Sequence, residues 1–176
     1  MLELVNEIQE TNPASISKKT LLRNEFLIQP GQVENHAYLV NEGSLRVFYL
    51  TEKEEHTIRF AYKSSFFTAL DSFLSGNPTQ YYIQTLKKTE LTVIEKTALK
   101  KAVYQNPNLT KSYIELLESI FLQQMEREID LLTSSPTERF NRILKRNPQV
   151  FNEIPHKHIA AYLRMTPETL SRLKKS

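Results

Sequence analysis

The sequence has no cysteine among its 176 residues. Disulfide bonds, thiolate metal sites and iron–sulfur clusters held by cysteine are therefore excluded. Long apolar runs are also missing, since no stretch approaches the roughly 20 residues that cross a bilayer. The N-terminus begins Met1-Leu2-Glu3 and carries acids without the apolar centre of a signal peptide. These absences predict a cytoplasmic protein that does not enter a membrane.

Motifs that carry catalysis are absent as well. The sequence shows no P-loop, no Ser-His-Asp arrangement and no pair of catalytic carboxylates. His36 and His56 lack the close His-x-His spacing of metal-binding β-barrels. We therefore predict a protein that is not an enzyme and uses neither a metal nor a cofactor. An enzyme built on a β-barrel remains an alternative, and a ligand or metal found inside the barrel would support it.

Positive charge is concentrated at the C-terminal end. The net charge is +3, but residues 139–176 hold nine Lys or Arg against Glu153 and Glu168. A basic end on an acidic body is the electrostatic pattern expected of a protein that contacts phosphates.

The last stretch, residues 157–175, predicts two short helices around a tight turn. Three apolar residues share one face of the first helix by the three-and-four spacing: Ile159, Ala160 and Leu163. The second helix begins with Thr166 as N-cap and Pro167 at its first position. Leu170 and Leu173 then face back toward the first helix. Arg164 stands in the turn, where glycine is usual.

This arrangement leaves Glu168, Thr169, Ser171 and Arg172 on the outer face of the second helix. A helix-turn-helix uses such a face to place side chains on base edges in the major groove. The alternative is an ordinary helical hairpin with an apolar inner face. The small Ala160, the start with a cap and a proline, and the outer face that is polar rather than acidic favour the helix-turn-helix.

The middle of the chain has the period of strands. The β-rich runs are residues 26–28, 37–40, 44–50, 57–62, 81–86 and 90–94. All three glycines, Gly31, Gly43 and Gly76, fall between these runs, and Asn41-Glu42-Gly43 is a hairpin signal. Several short strands at this spacing predict a sandwich or a double-stranded β-roll. Residues 2–24 predict short packing helices, the second beginning near Ile16.

One long helix follows, capped by Asn106 with Pro107 at its first position. Its apolar stripe consists of Ile114, Leu117, Phe121, Met125, Ile129 and Leu132. Leu116, Ile120 and Leu122 widen the apolar surface beyond one stripe, so the helix must bury two sides. We expect it to pack on its own β-roll and on the same helix of a second copy. A helix buried wholly within one subunit is the alternative. Ser135-Pro136-Thr137-Glu138 then predicts a fresh helix start.

Glu168-Thr169-Leu170-Ser171-Arg172 resembles the E-x-x-S-R recognition pattern of the Crp–Fnr superfamily of bacterial transcription regulators. Residues 38–40 and 42–47 resemble the cyclic-nucleotide-binding β-roll of the same superfamily. The resemblance implies an α+β fold in three parts. These parts are residues 1–106 as a sensor-like β-roll with flanking helices, 107–134 as a dimerisation helix, and 135–176 as a helix-turn-helix domain. The sequence ends where longer members continue into a β-wing, so this is either a short member without the wing or a chain that was cut.

The ligand cassette of that family departs from its pattern here. The matching positions are Phe67, Thr68, Ala69, Leu70, Thr79 and Gln80. Thr68 and Ala69 stand where the family has Gly-Glu, and Thr79 and Gln80 stand where its arginine belongs. Without the guanidinium and the ribose acceptor, we predict that the fold persists and that cyclic-nucleotide binding does not. An unknown small-molecule effector and an empty, packed hollow both remain open.

The resemblance implies a homodimeric regulator of transcription that binds double-stranded DNA. Glu168, Ser171 and Arg172 would read bases. We expect the basic Lys157, Lys174 and Lys175 to contact phosphates, and Thr166 and Thr169 to lie at the same surface. The alternative is a ligand-sensing or protein-interaction β-roll whose helix-turn-helix no longer reads DNA.

Overall fold

The computed structural model describes residues 2–52 and 54–175, apart from the side chain of Leu2. Met1 and Ser176, the outer ends of the predicted domains, lie outside these residues. The fold is mixed α+β: an antiparallel β-roll comes first, and helices follow it. The roll consists of two facing four-stranded sheets, with strand orders β1-β8-β3-β6 and β2-β7-β4-β5.

In the described part of the chain the roll has eight strands. They are β1 Ile16–Leu21, β2 Phe26–Ile28, β3 His36–Glu42, β4 Ser44–Leu50, β5 Glu55–Tyr62, β6 Phe66–Phe67, β7 Tyr82–Thr85 and β8 Thr89–Glu95. The predicted strands are therefore confirmed. The inner side chains of both sheets form one core, in which Leu45, Ile83 and Leu91 are fully buried.

The hairpin between β3 and β4 depends on Gly43. Its φ of 90° lies in the left-handed region that side chains disfavour. A Cβ at this position would also collide with the carbonyl oxygen of Lys88. The turn therefore requires glycine for two reasons: the positive φ, and the close approach of the Lys88 backbone.

The N-terminal prediction is wrong in one respect. The segment that begins at Ile16 is not a helix but strand β1, which pairs antiparallel with β8 from Ile16–Ile94 to Leu21–Thr89. Lys18 and Lys19 are exposed on this strand, which lies at the edge of its sheet. Edge strands commonly carry lysines, and pairing with a distant strand overrides the local helical spacing.

The described helices are α1 Leu2–Thr11, α2 Leu70–Ser75, α3 Lys96–Gln105, α4 Pro107–Leu132, α5 Pro136–Arg146, α6 Val150–Glu153, α7 His156–Tyr162 and α8 Pro167–Leu173. Helix α3 was not predicted; it packs on α1 and α4 through Ala98, Leu99 and Ala102. None of the helices in the described residues has the length and apolar character needed to cross a bilayer.

Helix α4 has two apolar sides, as predicted, but Leu117 and Leu122 are each on the other side from the one expected. Leu116, Leu117 and Ile120 are half-buried and face the roll. A second group remains exposed within the protomer: Ile114, Phe121, Leu122, Met125, Ile129 and Leu132. Phe121 is 67% exposed and Leu132 79% exposed. This second group is called the α4 outer stripe below.

Helices α5 to α8, residues 136–173, form the C-terminal helical unit. Its core includes Phe140, Ile143 and Ile154, as predicted, whereas Leu144 is 43% exposed and does not join it. Leu144 directly follows Ile143 in the helix and therefore points about 100° away around the helix axis. The same core takes in Phe60, Tyr62 and Leu86 from the roll. The unit therefore packs directly on the β-roll.

A buried carboxylate joins α4 to α5. The Asp130 side chain is fully buried; Oδ1 accepts from Nε of Arg142 at 2.8 Å, and Oδ2 accepts from Nη2 of Arg146. Glu126 receives both arginines as well, at 2.7 and 3.2 Å. Burial raises the pKa of Asp130, but the two guanidinium groups outweigh it and leave that pKa below its usual value.

We expect Asp130→Asn to lower the free energy of unfolding by about 2–4 kcal/mol, because it leaves two guanidinium groups without their buried counter-charge. Since the pKa of Asp130 is lower in the folded state, its contribution is present above the unfolded pKa of about 3.9 and is lost as pH falls through the folded pKa. Urea unfolding of both proteins between pH 7 and pH 2.5 measures the difference, which should shrink at the acidic end.

Glu126→Gln is the matched control. The side chain of Glu126 is 45% exposed, so its ion pairs are screened and should contribute about 1 kcal/mol or less. Equal losses from the two substitutions, or a difference that does not change with pH, would contradict the role assigned to Asp130.

Candidate nucleic-acid interface

Two short helices, α7 and α8, meet through a shared apolar contact. Four residues have no exposed surface: Ile159 and Ala160 in α7, Leu163 directly after it, and Leu170 in α8. Ala160 has only a methyl side chain, so the two helices can approach closely. The inner face predicted from the sequence is therefore observed, and the opposite side of α8 is turned outward.

The turn between these helices has the predicted backbone geometry. Arg164 has φ of 52°, in the left-handed region, which costs on the order of 1 kcal/mol for a residue other than glycine. Helix α8 then begins at Pro167, with Thr166 as N-cap. The Thr166 hydroxyl oxygen accepts from the N–H of Thr169 at 3.2 Å. The cap and the proline set where α8 starts.

Arg139 holds this turn in place, which the sequence did not indicate. Its Nε donates to the carbonyl of Leu163 at 2.7 Å, and its Nη2 donates to that of Arg164 at 3.1 Å. Its Nη1 donates to the carbonyls of Thr133 and Ser134 at 2.6 and 2.9 Å. One buried side chain thus links the α7–α8 turn to the end of α4.

The outer face of α8 brings the predicted base-reading residues together. Pro167, Glu168, Ser171, Arg172 and Lys175 line one open surface. Hydrogen bonds from its own backbone N–H and from the Thr166 side chain lower the pKa of Glu168, which favours an ionised acceptor. The surface therefore offers an anionic acceptor, a hydroxyl and two cations side by side.

The other predicted contacts lie around this surface. Thr166 is exposed and Thr169 is half-buried; their hydroxyl oxygens are 3.2 Å apart. Lys157 is exposed in the first turn of α7. Nζ of Lys174 donates to Nε2 of His156 at 2.7 Å, so this lysine joins the end of α8 to the start of α7.

The C-terminal positive charge is less exposed than its composition suggests. Arg139 is buried against carbonyls, while Arg142 and Arg146 pair with Asp130 and Glu126. The cations on or beside the outer face of α8 are instead Lys157, Arg172, Lys174 and Lys175, all exposed. Charge counted along the sequence therefore overstates the charge that reaches a ligand at this surface.

Helix α7 also packs against strand β5 of the roll. Burial lowers the pKa of His158 to about 4, and the charges of Arg46 and Lys157 add to this effect. His158 is therefore neutral at pH 7. The ring of Tyr162, on the same helix, lies 5.3 Å from that of Phe60 in β5.

Polar groups of the predicted ligand cassette are hydrogen-bonded to other groups of the protein. Hydroxyl Oγ1 of Thr79 donates to both carboxylate oxygens of Asp71, at 2.9 and 2.8 Å, and the N–H of Gln80 donates to Oδ2 at 3.2 Å. Thr68 donates to the carbonyl of His36 at 2.8 Å. The donors of Thr79 and Gln80, which could otherwise bind an anionic ligand, thus already donate to the carboxylate of Asp71.

The remaining cassette positions are apolar. Phe67 and Ala69 are buried, and Leu70 is half-buried at the start of α2.

Asp71 was not singled out in the sequence, although an acid in the first turn of a helix is a signal for an N-terminal contact. Its position adds negative charge where a cyclic phosphate would need a cation.

Comparison with known proteins places this geometry in a family. The family model described as "Cyclic nucleotide-binding domain" matches residues 18–106. These residues cover the roll and α3. No curated protein matches the sequence.

Solved structures with the same fold cover most of the chain. FixK2 from Bradyrhizobium japonicum superposes with a TM-score of 0.77 at 15% identity, over 91% of this chain and 83% of that one. A CooA mutant from Carboxydothermus hydrogenoformans gives 0.71 at 16% identity, over 96% and 81%. The catabolite activator protein of Thermus thermophilus gives 0.59 at 20% identity, over 99% and 82%.

The family model spans half of the chain, and these solved structures superpose over 91–99% of it. The resemblance found in the sequence is therefore confirmed. The chain belongs to the cyclic nucleotide-binding domain family, and its fold is that of the Crp–Fnr transcription regulators.

Proposed function

We propose that this protein is a homodimeric, sequence-specific DNA-binding regulator of transcription, and not an enzyme. The observation that carries the proposal is the outer face of α8. Glu168, Ser171 and Arg172 lie together on one open surface, while Leu170 on the opposite side is fully buried. A helix-turn-helix presents its recognition helix in this way, and in this proposal α7 is the first helix and α8 the recognition helix.

The three side chains suit base edges in the major groove. Arg172 supplies the guanidinium fork that binds the O6 and N7 acceptors of guanine. Glu168, whose pKa is lowered, accepts from the N4 amino group of cytosine. Ser171 both donates and accepts, so it adapts to either neighbouring base. Lys157, Lys174 and Lys175 are placed around this face to contact phosphates.

Dimerisation would use the α4 outer stripe. Helix α4 has 26 residues, or about 39 Å at 1.5 Å per residue. Six large apolar side chains along one face of such a helix are unusual for a surface in water. Two parallel α4 helices would cover both stripes. The two α8 helices would then enter successive major grooves, about 34 Å apart.

Cyclic nucleotides are not the effector in this proposal. Asp71 accepts hydrogen bonds from Thr79 and Gln80 within the cassette. A cyclic phosphate placed there would meet a carboxylate instead of a guanidinium, and like charges repel. In this proposal the protein keeps the family fold but responds to a different effector, or to none.

We expect Arg172→Ala to weaken operator binding by about 1–3 kcal/mol and to relax the preference at one base pair per half-site. Selection from random duplex DNA followed by sequencing would first define the operator. Gel shifts with single-base variants then measure the change. Lys18→Ala, an exposed substitution in β1, is the control and should leave binding unchanged. An equal loss on every sequence would make Arg172 a phosphate contact, and no enrichment in the selection would refute the DNA-binding proposal.

We expect Lys157→Gln to weaken binding equally on all sequences. Removing one phosphate contact from each protomer should reduce the slope of log K against log[salt] by about two for the dimer. Titrations between 50 and about 300 mM salt measure this slope. A change confined to particular base pairs would instead place Lys157 on a base edge.

We expect Phe121→Glu to abolish the dimer and, with it, high-affinity operator binding. Phe121 is 67% exposed in the protomer, so the variant should remain folded. Sedimentation equilibrium measures the mass, and circular dichroism checks the fold. Ser119→Glu adds the same charge at an exposed polar position of α4 outside the outer stripe and should leave the dimer intact. A wild-type protein that is monomeric at micromolar concentration would overturn the dimer proposal.

A further inference from the structure

A cavity of about 410 Å³ lies where β5, α4 and the C-terminal helical unit meet. This volume is within the range of about 300–1,000 Å³ typical of small-molecule sites. Polar side chains from all three elements line it: Arg59, Gln123, Gln124, Arg127, Asn147 and Tyr162. Of the six residues in the predicted cassette only Phe67 reaches its wall, so this cavity is separate from the cyclic-phosphate position.

Arg127 is the most unusual group in this cavity. Only 8% of the residue is exposed, and its Nη1 has no hydrogen-bond partner within the part of the chain that the structure describes. The guanidinium carbon lies 3.6 Å from the centre of the Tyr162 ring, which supports its flat face. The ring does not accept hydrogen bonds from the N–H groups at the edge of the guanidinium. A buried cationic donor left in this state is unfavourable unless a further partner binds.

Arg59 adds a second cation at the same wall. Burial lowers the pKa of both Arg59 and Arg127, yet a guanidinium remains protonated in proteins. No ion pair between described residues involves either one. Asp130, whose charge acts on Arg127, is already hydrogen-bonded to Arg142 and Arg146.

The wall of the cavity contains no carboxylate among the described residues. Its remaining surface is apolar and comes from Ile58, Phe60, Ile143 and Val150, among others. The cavity therefore combines two guanidinium groups that have no ion-pair partner among the described residues with apolar surface elsewhere on its wall. Such a site suits a molecule that has an anionic group and an apolar body.

We propose that this cavity binds a small organic anion, whose carboxylate or phosphate group sits on Arg127 and Arg59. Guanidinium groups bind both kinds of oxyanion through paired N–H···O contacts. Gln123, Gln124 and Asn147 provide donors and acceptors that orient the rest of the molecule. The apolar part of the ligand packs against Phe60 and Ile143.

The bound anion would touch the roll, α4 and the C-terminal helical unit at once. Such a ligand stabilises the arrangement of these three parts in which the cavity is formed, and it shifts the population toward that arrangement. Binding of the anion does not depend on the proposed DNA-binding function. Its effect on operator affinity does rest on that function.

The test is anion-dependent thermal unfolding of the full chain, with isothermal titration calorimetry. The probes are phenyl phosphate, benzoate and inorganic phosphate, compared with sodium chloride at equal ionic strength and with neutral benzamide. We expect phenyl phosphate or benzoate to raise Tm by about 3–6 °C at roughly ten times its Kd. The two aromatic probes separate a phosphate site from a carboxylate site. Inorganic phosphate should bind more weakly, because it lacks an apolar body.

Arg127→Gln should remove the response to the anion, whereas Lys18→Gln, which removes one exposed positive charge outside the cavity, should keep it. If Arg127→Gln does not fold, Arg59→Gln is the second variant and should also lose the response. No Tm shift with any of the three anions, or equal shifts in the wild type and in the folded cavity variant, would overturn the proposal. Failure of DNA binding with the anion response intact would refute the proposed function alone.

Discussion

The position of α8 depends on one buried guanidinium. Arg139 donates to four backbone carbonyls, two just after α4 and two at the turn that precedes α8. The C-terminal ends of helices carry partial negative charge, so a cation placed between two of them is favourable at both. In a dimer joined along α4, this side chain would also help to set the distance between the two α8 helices. If α8 contacts a DNA duplex as proposed, such a support would fix its position against the pitch of the duplex.

Elements with strong local signals could be predicted from the sequence. The hairpin around Gly43, the capped start of α8 and the long helix α4 each follow from a few neighbouring residues with defined backbone demands. Strand β1 and helix α3 could not be predicted in the same way. The apolar residues near Ile16 give too weak a local pattern to distinguish a helix from a strand, and pairing with β8, more than 60 residues later, makes this segment a strand.

In the predicted site, too, features set by neighbouring residues could be predicted and features set by distant residues could not. The sequence placed Glu168, Ser171 and Arg172 on one face because helical spacing alone decides this. It could not assign the partners of charged side chains, because those partners are distant in the chain. Arg139, Arg142 and Arg146 appeared to belong to a basic surface, but they bind carbonyls and carboxylates inside the protomer. Similarly, the missing arginine of the cassette was visible in the sequence, whereas the use of its remaining donors by Asp71 was not.

The packing of the C-terminal helical unit on the roll limits how α8 can be repositioned. Phe60 and Tyr62 belong to β5, yet they complete the core that contains Phe140 and Leu170. Swinging the unit away from the roll would expose these faces to water, at about 25 cal/mol for each Å² of apolar surface. A large rotation is therefore accessible only if a new contact of similar area replaces the old one. Sliding within the existing contact costs less, so in the proposed dimer the distance between the two α8 helices would change in that way.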